Sequence, residues 1–144
     1  MEQRIQIDEI EPGAYEAMFA LEKYLAGGIL TNAFKDMIKI RASQINGCAF
    51  CIDMHTKEAL KHGEDAQRIF LLDAWKETDM FTEEEKVLLQ ITEEVTLVHN
   101  QGLQTETYAK ALKLFSENQI CQIIMTVVTI NAWNRIAIAT KKPF

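Results

Sequence analysis

The sequence predicts an all-α protein, and three observations carry that reading. Prolines stand only at positions 12 and 143, so no residue between them forbids helix. Apolar residues recur three and four apart over long stretches, the spacing of one face of a helix. Alternating β-branched runs, the mark of strands, are scarce. The 144 residues suit one domain, 1–144, and can bury a substantial core. No linker, low-complexity run or internal repeat divides them.

About seven helices are expected in order. The first runs from about Pro12 to Leu25; proline suits a first turn, and Ala26-Gly27-Gly28 stops it. The second runs from about Thr31 to Ile45, with apolar faces from Phe34, Ile38, Ile40 and Ile45. Asn46-Gly47 interrupts it. The third begins near Gly47 or Cys48 and ends at His62-Gly63. The fourth, about 64–77, carries Ile69, Leu72 and Trp75 on one side. The fifth follows Thr82, which forms a T-x-x-E capping pattern with Glu85. Its Val87, Leu88, Ile91, Val95 and Val98 repeat at helical spacing, and the acidic run 82–86 suits a helix start. The sixth covers about 104–115 and the seventh about 118–139, with Ser116 and Gln119 a weaker capping signal between them. The seventh is apolar nearly all round. A chain of this size can hardly enclose such a helix, so subunits of a homo-oligomer are expected to share it.

Charge and hydropathy narrow the function. The net charge is −6 and the pI about 5.1, so no basic face offers itself to nucleic acid. Residues 1–13 hold no apolar stretch behind basic residues, so no secretory signal is expected there. The tract 120–139 is about as long as a membrane span, but it carries Gln122, Asn131, Asn134 and Arg135. A buried or interfacial helix is the expectation, and no membrane partner. The protein is expected in the cytoplasm, where thiols stay reduced and a paired cysteine motif points to chemistry more than to a structural bridge.

The stretch 46–55, NGCAFCIDMH, holds Cys48, Cys51 and His55. At 100° per residue, a helix brings all three within about 60° of one another. Asp53 points away. A zinc site would find three ligands here, but the chain has no second cysteine doublet; Cys121 or Asp36 would have to complete it. The three residues could also simply pack, two thiols as small core hydrophobes and the imidazole as a satisfied neighbour. Redox chemistry fits the set best. Two thiols one turn apart can close a disulfide with little backbone motion. The thiolate is the reactive form, and a helix N-terminus and a nearby histidine both favour it. Cys48 lies nearer the helix start and Cys51 nearer His55, so position alone leaves open which thiol attacks. A thiolate that reduces a peroxide becomes a sulfenic acid, which the second thiol condenses into a disulfide.

Residues 36–63, DMIKIRASQINGCAFCIDMHTKEALKHG, resemble the signature of the alkylhydroperoxidase D (AhpD)-like branch of the carboxymuconolactone decarboxylase family. The tail 130–137, INAWNRIA, resembles that family's last helix. The resemblance implies an all-helical fold assembled as a trimer or hexamer, with a trimer of dimers favoured here. It implies reduction of a hydroperoxide through the cysteine pair at the expense of a thiol or dithiol reductant. By the same resemblance Cys51 is the peroxidatic thiol, Cys48 the resolving one, and His55 activates Cys51 through water. The family's relay acid is a glutamate twelve residues before the first cysteine; this chain has Asp36 there, one methylene shorter. The family's decarboxylation reaction does not use the cysteine pair, which argues against that activity here. Two alternatives stand beside the peroxidase: a general disulfide oxidoreductase, and a non-enzymatic helical oligomer with incidental thiols. No motif suggests a bound flavin, haem or nucleotide, and there is no G-x-G-x-x-G.

The remaining polar and aromatic residues read as structural. His62 and His99 stand at helix ends and are expected to meet C-terminal carbonyls. Cys121 lies on an apolar helix and reads as a buried thiol. Trp75 and Trp133 read as core or interface. Asn131, Asn134 and Arg135 need partners if buried, and a neighbouring subunit could supply them.

Overall fold

Side chains start the helices close to the expected places. The computed structural model describes residues 2–144. Its helices are α1 (Ile7–Ile10), α2 (Pro12–Ala26), α3 (Asn32–Asn46), α4 (Ala49–Lys61), α5 (Ala66–Phe70), a 3₁₀ helix (Leu72–Glu77), α6 (Glu83–Thr96), α7 (Thr105–Leu114) and α8 (Glu117–Thr140). No strand occurs among the described residues. Thr31 Oγ1 accepts the Phe34 N–H and starts α3. Both expected capping boxes are present, Thr82 with Glu85 on α6 and Ser116 with Gln119 on α8.

Two of the helical elements differ from the sequence reading. The short α1 precedes the proline-initiated helix and was not expected. The fourth expected helix divides into α5 and a 3₁₀ helix. Asp65 caps α5 by accepting the N–H groups of Gln67 and Arg68, and the chain tightens after Leu71. Residues three apart eclipse in a 3₁₀ helix. That puts Leu72 and Trp75 together in the core and lets the indole N–H donate to Glu93 Oε1 at 2.8 Å.

Helix α3 packs against α4, α6 and α8 at once. Its Ile38 and Ile40 meet Leu88, Leu89 and Ile91 of α6 and Ile123, Val127 and Ile130 of α8 in one buried cluster. Each of these eight side chains is at most 1 % exposed, so the α3–α6–α8 layer is where apolar burial contributes most. By length and hydropathy α8 could cross a bilayer. Here it serves as a core helix with an uncovered stripe: Cys121, Val128 and Arg135, seven residues apart, all face solvent. Cys121 is therefore exposed, not the buried thiol that the composition of its helix suggested.

The polar groups of α8 find partners in the same chain. Asn46 Nδ2 donates to Asn131 Oδ1 and Asn134 Oδ1, both at 2.9 Å, and Asn134 Nδ2 donates to Ser43 Oγ at 3.0 Å. Arg135 donates back to Asn131. No neighbouring subunit is needed to satisfy them. This network fixes the C-terminal end of α3, from which the chain enters the cysteine segment.

Candidate active site

Glycine sets the entry to the site. Gly47 adopts φ +68°, and its N–H bonds the Gln44 carbonyl while the Cys48 N–H bonds the Ser43 carbonyl at 3.0 Å. These paired bonds are a Schellman ending for α3. The turn leaves Cys48 with extended backbone (φ −86°, ψ 94°), so it is the N-cap of α4 and not part of its first turn. Its Sγ accepts the Cys51 N–H at 3.4 Å. The two cysteines form a disulfide with Cα atoms 5.3 Å apart. The expected stripe of three is thus modified. Cys51 and His55 share a helix face, and Cys48 sits behind them at the cap.

That face opens on a cavity of about 300 Å³. Cys51 and His55 line it; Cys48 does not. Tyr15, Phe19 and Trp133 form an aromatic wall, with the Tyr15 and Trp133 ring centres 5.1 Å apart at a 73° tilt. Phe50 and Met54 of α4 supply the apolar floor. The Trp133 N–H donates to Glu22 Oε1 at 3.0 Å, and Glu22 Oε2 stands 3.5 Å from Lys39 Nζ. At the end of α8, Lys141 takes a left-handed conformation (φ 48°) and turns the chain back. Lys142 thereby reaches the cavity, paired with Asp8 at 3.1 Å. Cavity walls thus come from α2, α3, α4, α8 and the segment that follows α8.

His55 is 5 % exposed, and its Nδ1 lies 2.7 Å from Glu58 Oε2. Burial pushes the imidazole below its usual pKa. The Glu58 hydrogen bond works against that shift, and the Lys39 ammonium adds to it. His55 is therefore neutral at neutral pH. A neutral imidazole that donates Nδ1–H to a carboxylate keeps Nε2 as a base.

Asp36 lies elsewhere. Its buried carboxylate is 2.6 Å from His62 Nδ1, and it does not line the cavity of Cys51 and His55. His62 accordingly meets a carboxylate and not the carbonyls expected of it; the Schellman ending at Gly63 satisfies those through the N–H groups of Gly63 and Glu64. His99 is exposed in the turn after α6. Asp53 points out to Lys57, as expected. Glu22, Lys39 and Lys142 escaped the sequence reading because only the fold joins α2, α3 and the C-terminus. Glu58 was within reach of it, three residues after His55 on the same helix. Among the described residues, no three acidic, histidine or cysteine side chains gather as a metal cluster.

Comparison with known proteins bears on the family and the fold. The model of the carboxymuconolactone decarboxylase family matches residues 12–94. The uncharacterized protein YdfG of Bacillus subtilis (strain 168) is 42 % identical over 139 residues, covering 96 % of this chain and 95 % of that one. ATU0492 from Agrobacterium tumefaciens, a protein of unknown function provisionally assigned to antioxidant defence as an AhpD, superposes with a TM-score of 0.95 at 37 % identity. The match covers 99 % of this chain and 97 % of that one. The debrominase Bmp8 shares the fold, with a TM-score of 0.84 at 17 % identity over 94 % of this chain and 73 % of its own.

Proposed function

The chain belongs to the carboxymuconolactone decarboxylase family, and on that premise we propose that it is a thiol-dependent peroxidase reducing organic hydroperoxides. One observation carries the reading: Cys51 opens onto an apolar cavity beside His55, and its disulfide partner sits behind it at a helix cap.

In the reduced protein His55 takes the Cys51 proton, directly or through water, and leaves a thiolate facing the cavity. The thiolate attacks the terminal oxygen of the hydroperoxide. The O–O bond breaks, the sulfur becomes a sulfenic acid, and the departing alkoxide takes the proton held by His55. The Cys48 thiol then attacks the Cys51 sulfur, forms the disulfide and releases water. A thiol or dithiol reductant returns two electrons. It attacks Cys51, the sulfur on the cavity, and expels Cys48 as a thiolate. The Cys51 N–H and the start of α4 favour charge on that leaving sulfur. Asp36, the acid that the family resemblance implies, is engaged by His62. We therefore assign it to holding the end of α4.

A second reading draws on the disulfide itself: the same pair could exchange with other disulfides and never meet peroxide. Consumption of an organic hydroperoxide under excess dithiol separates the two. A peroxidase consumes it with Cys51 and Cys48 intact and stops in C51S. An exchanger consumes none above the dithiol blank.

We place this cycle in the cytoplasm, where a thiol pool supplies the reductant. We also propose that the protein works as a homo-oligomer, a trimer of dimers. Phe19 and Tyr24 on α2 and Val128 and Ile138 on α8 are each more than 40 % exposed, and a second copy would cover them.

A further inference from the structure

We propose that Glu58 is the positioning residue of this site: its carboxylate holds His55 Nδ1–H and leaves Nε2 as the nitrogen available to Cys51. The inference rests on Cys51 being the reactive thiol. It supplies the acid that Asp36, turned toward His62, does not.

The geometry is local and self-consistent. Cys51, His55 and Glu58 follow at i, i+4 and i+7 on α4, so they share one face of a single rigid element. All three line the same cavity. The 2.7 Å separation is a charge-assisted hydrogen bond, and it occupies one ring nitrogen of His55. His55 has only one other nitrogen. A histidine held this way cannot present the wrong tautomer to the thiol.

The charged groups around His55 give Glu58 a further effect. Lys39 of α3 opposes protonation of the ring, while Glu22 of α2 and Glu58 favour it. Lys142, from beyond α8, lines the same cavity but is paired with Asp8. Burial acts against the imidazolium throughout. Glu58 is the carboxylate hydrogen-bonded to the ring, so it keeps His55 basic enough to accept the Cys51 proton and then stabilises the imidazolium.

Glu58 is 43 % exposed at its side chain, so its replacement should leave the fold intact. The test is the pH dependence of Cys51 alkylation by iodoacetamide in a C48S background, alongside His55 titration by NMR. E58A should slow alkylation at pH 7 by about tenfold, corresponding to a thiol pKa displaced by about one unit. Its His55 midpoint should fall. E58Q retains a hydrogen-bond acceptor but no charge, and should lie between E58A and the parent. H55N should be slow, and adding E58A to it should slow it no further. If H55N slows alkylation while E58A leaves both rate and His55 midpoint unchanged, the positioning role is overturned and the histidine base stands. If H55N itself alkylates at the parental rate, the histidine-activated cycle fails with it.

Discussion

The Asp36 carboxylate lies 2.6 Å from Nδ1 of His62, across the junction of α3 and the end of α4. Asp36 is almost fully buried, whereas His62 is 40 % exposed at its side chain. The pair fastens the end of α4 whose start carries the disulfide.

H62A should therefore leave a buried carboxylate without its partner. Urea unfolding should report a loss of about 1–3 kcal/mol, nearer the lower figure because solvent reaches the pair. Alkylation of Cys51 should change less than twofold, since His62 is not in the cavity. An intact stability with a slow thiol would instead make His62 part of the site.

Gly47 offers a second test. An ideal Cβ there meets nothing within 4 Å, so crowding is not the issue; its φ of +68° is. G47A should cost about 1 kcal/mol in thermal or urea unfolding. It should also slow closure of the 48–51 disulfide, because the same turn fixes Cys48 as the cap of α4. Quenched-flow thiol counting reads the second effect.

Acid should destabilise the fold in two windows. Burial lowers the folded pKa of His55 below the ordinary 6.5, so the unfolded chain binds that proton first as pH falls. Stability from the neutral ring is full above pH 6.5 and is lost as pH drops through the folded value. Burial of Glu93 would raise its pKa, but bonds from Lys76 and Trp75 and the Arg41 charge overcome this and hold it below 4.5. Its contribution is present above pH 4.5 and lost on further acidification. Urea midpoints measured from pH 7 to 3 should fall in both ranges, with the upper fall reduced in H55N and the lower in E93Q.

The uncovered α2 and α8 residues make the assembly testable. Light scattering of the eluting protein should give the mass of six chains. V128E combined with I138E should reduce that mass while leaving the helical circular dichroism unchanged. A parent that elutes as one chain would refute the oligomer.

Much of this was legible because it is local. Pro12, the Asn46-Gly47 break, the two capping boxes and the i, i+4 relation of Cys51 to His55 depend on neighbours in sequence, and each has the expected place in the structure. Most of the misses depend on tertiary packing, and that of Cys48 on a local turn. Periodicity could not show that Trp75 must reach Glu93, which accompanies the shift to a 3₁₀ helix. Helical geometry placed Cys48 on a stripe, but the Schellman turn makes it a cap. Composition suggested that Cys121 was buried, whereas α8 leaves that side to solvent. The cavity wall was beyond any local reading, since Glu22, Lys39 and Trp133 meet only when α2, α3 and α8 pack.

The central claim is that Cys51 attacks and Cys48 resolves. The most direct measurement mixes reduced protein with one equivalent of an organic hydroperoxide, counts thiols over time and maps the product by mass spectrometry. The account predicts rapid loss of two thiols into the 48–51 disulfide, with C48S stopping as a sulfenic acid at Cys51 and C51S unreactive. Thiols that survive the peroxide, or a sulfenic acid that forms at Cys48 in C51S, would contradict it.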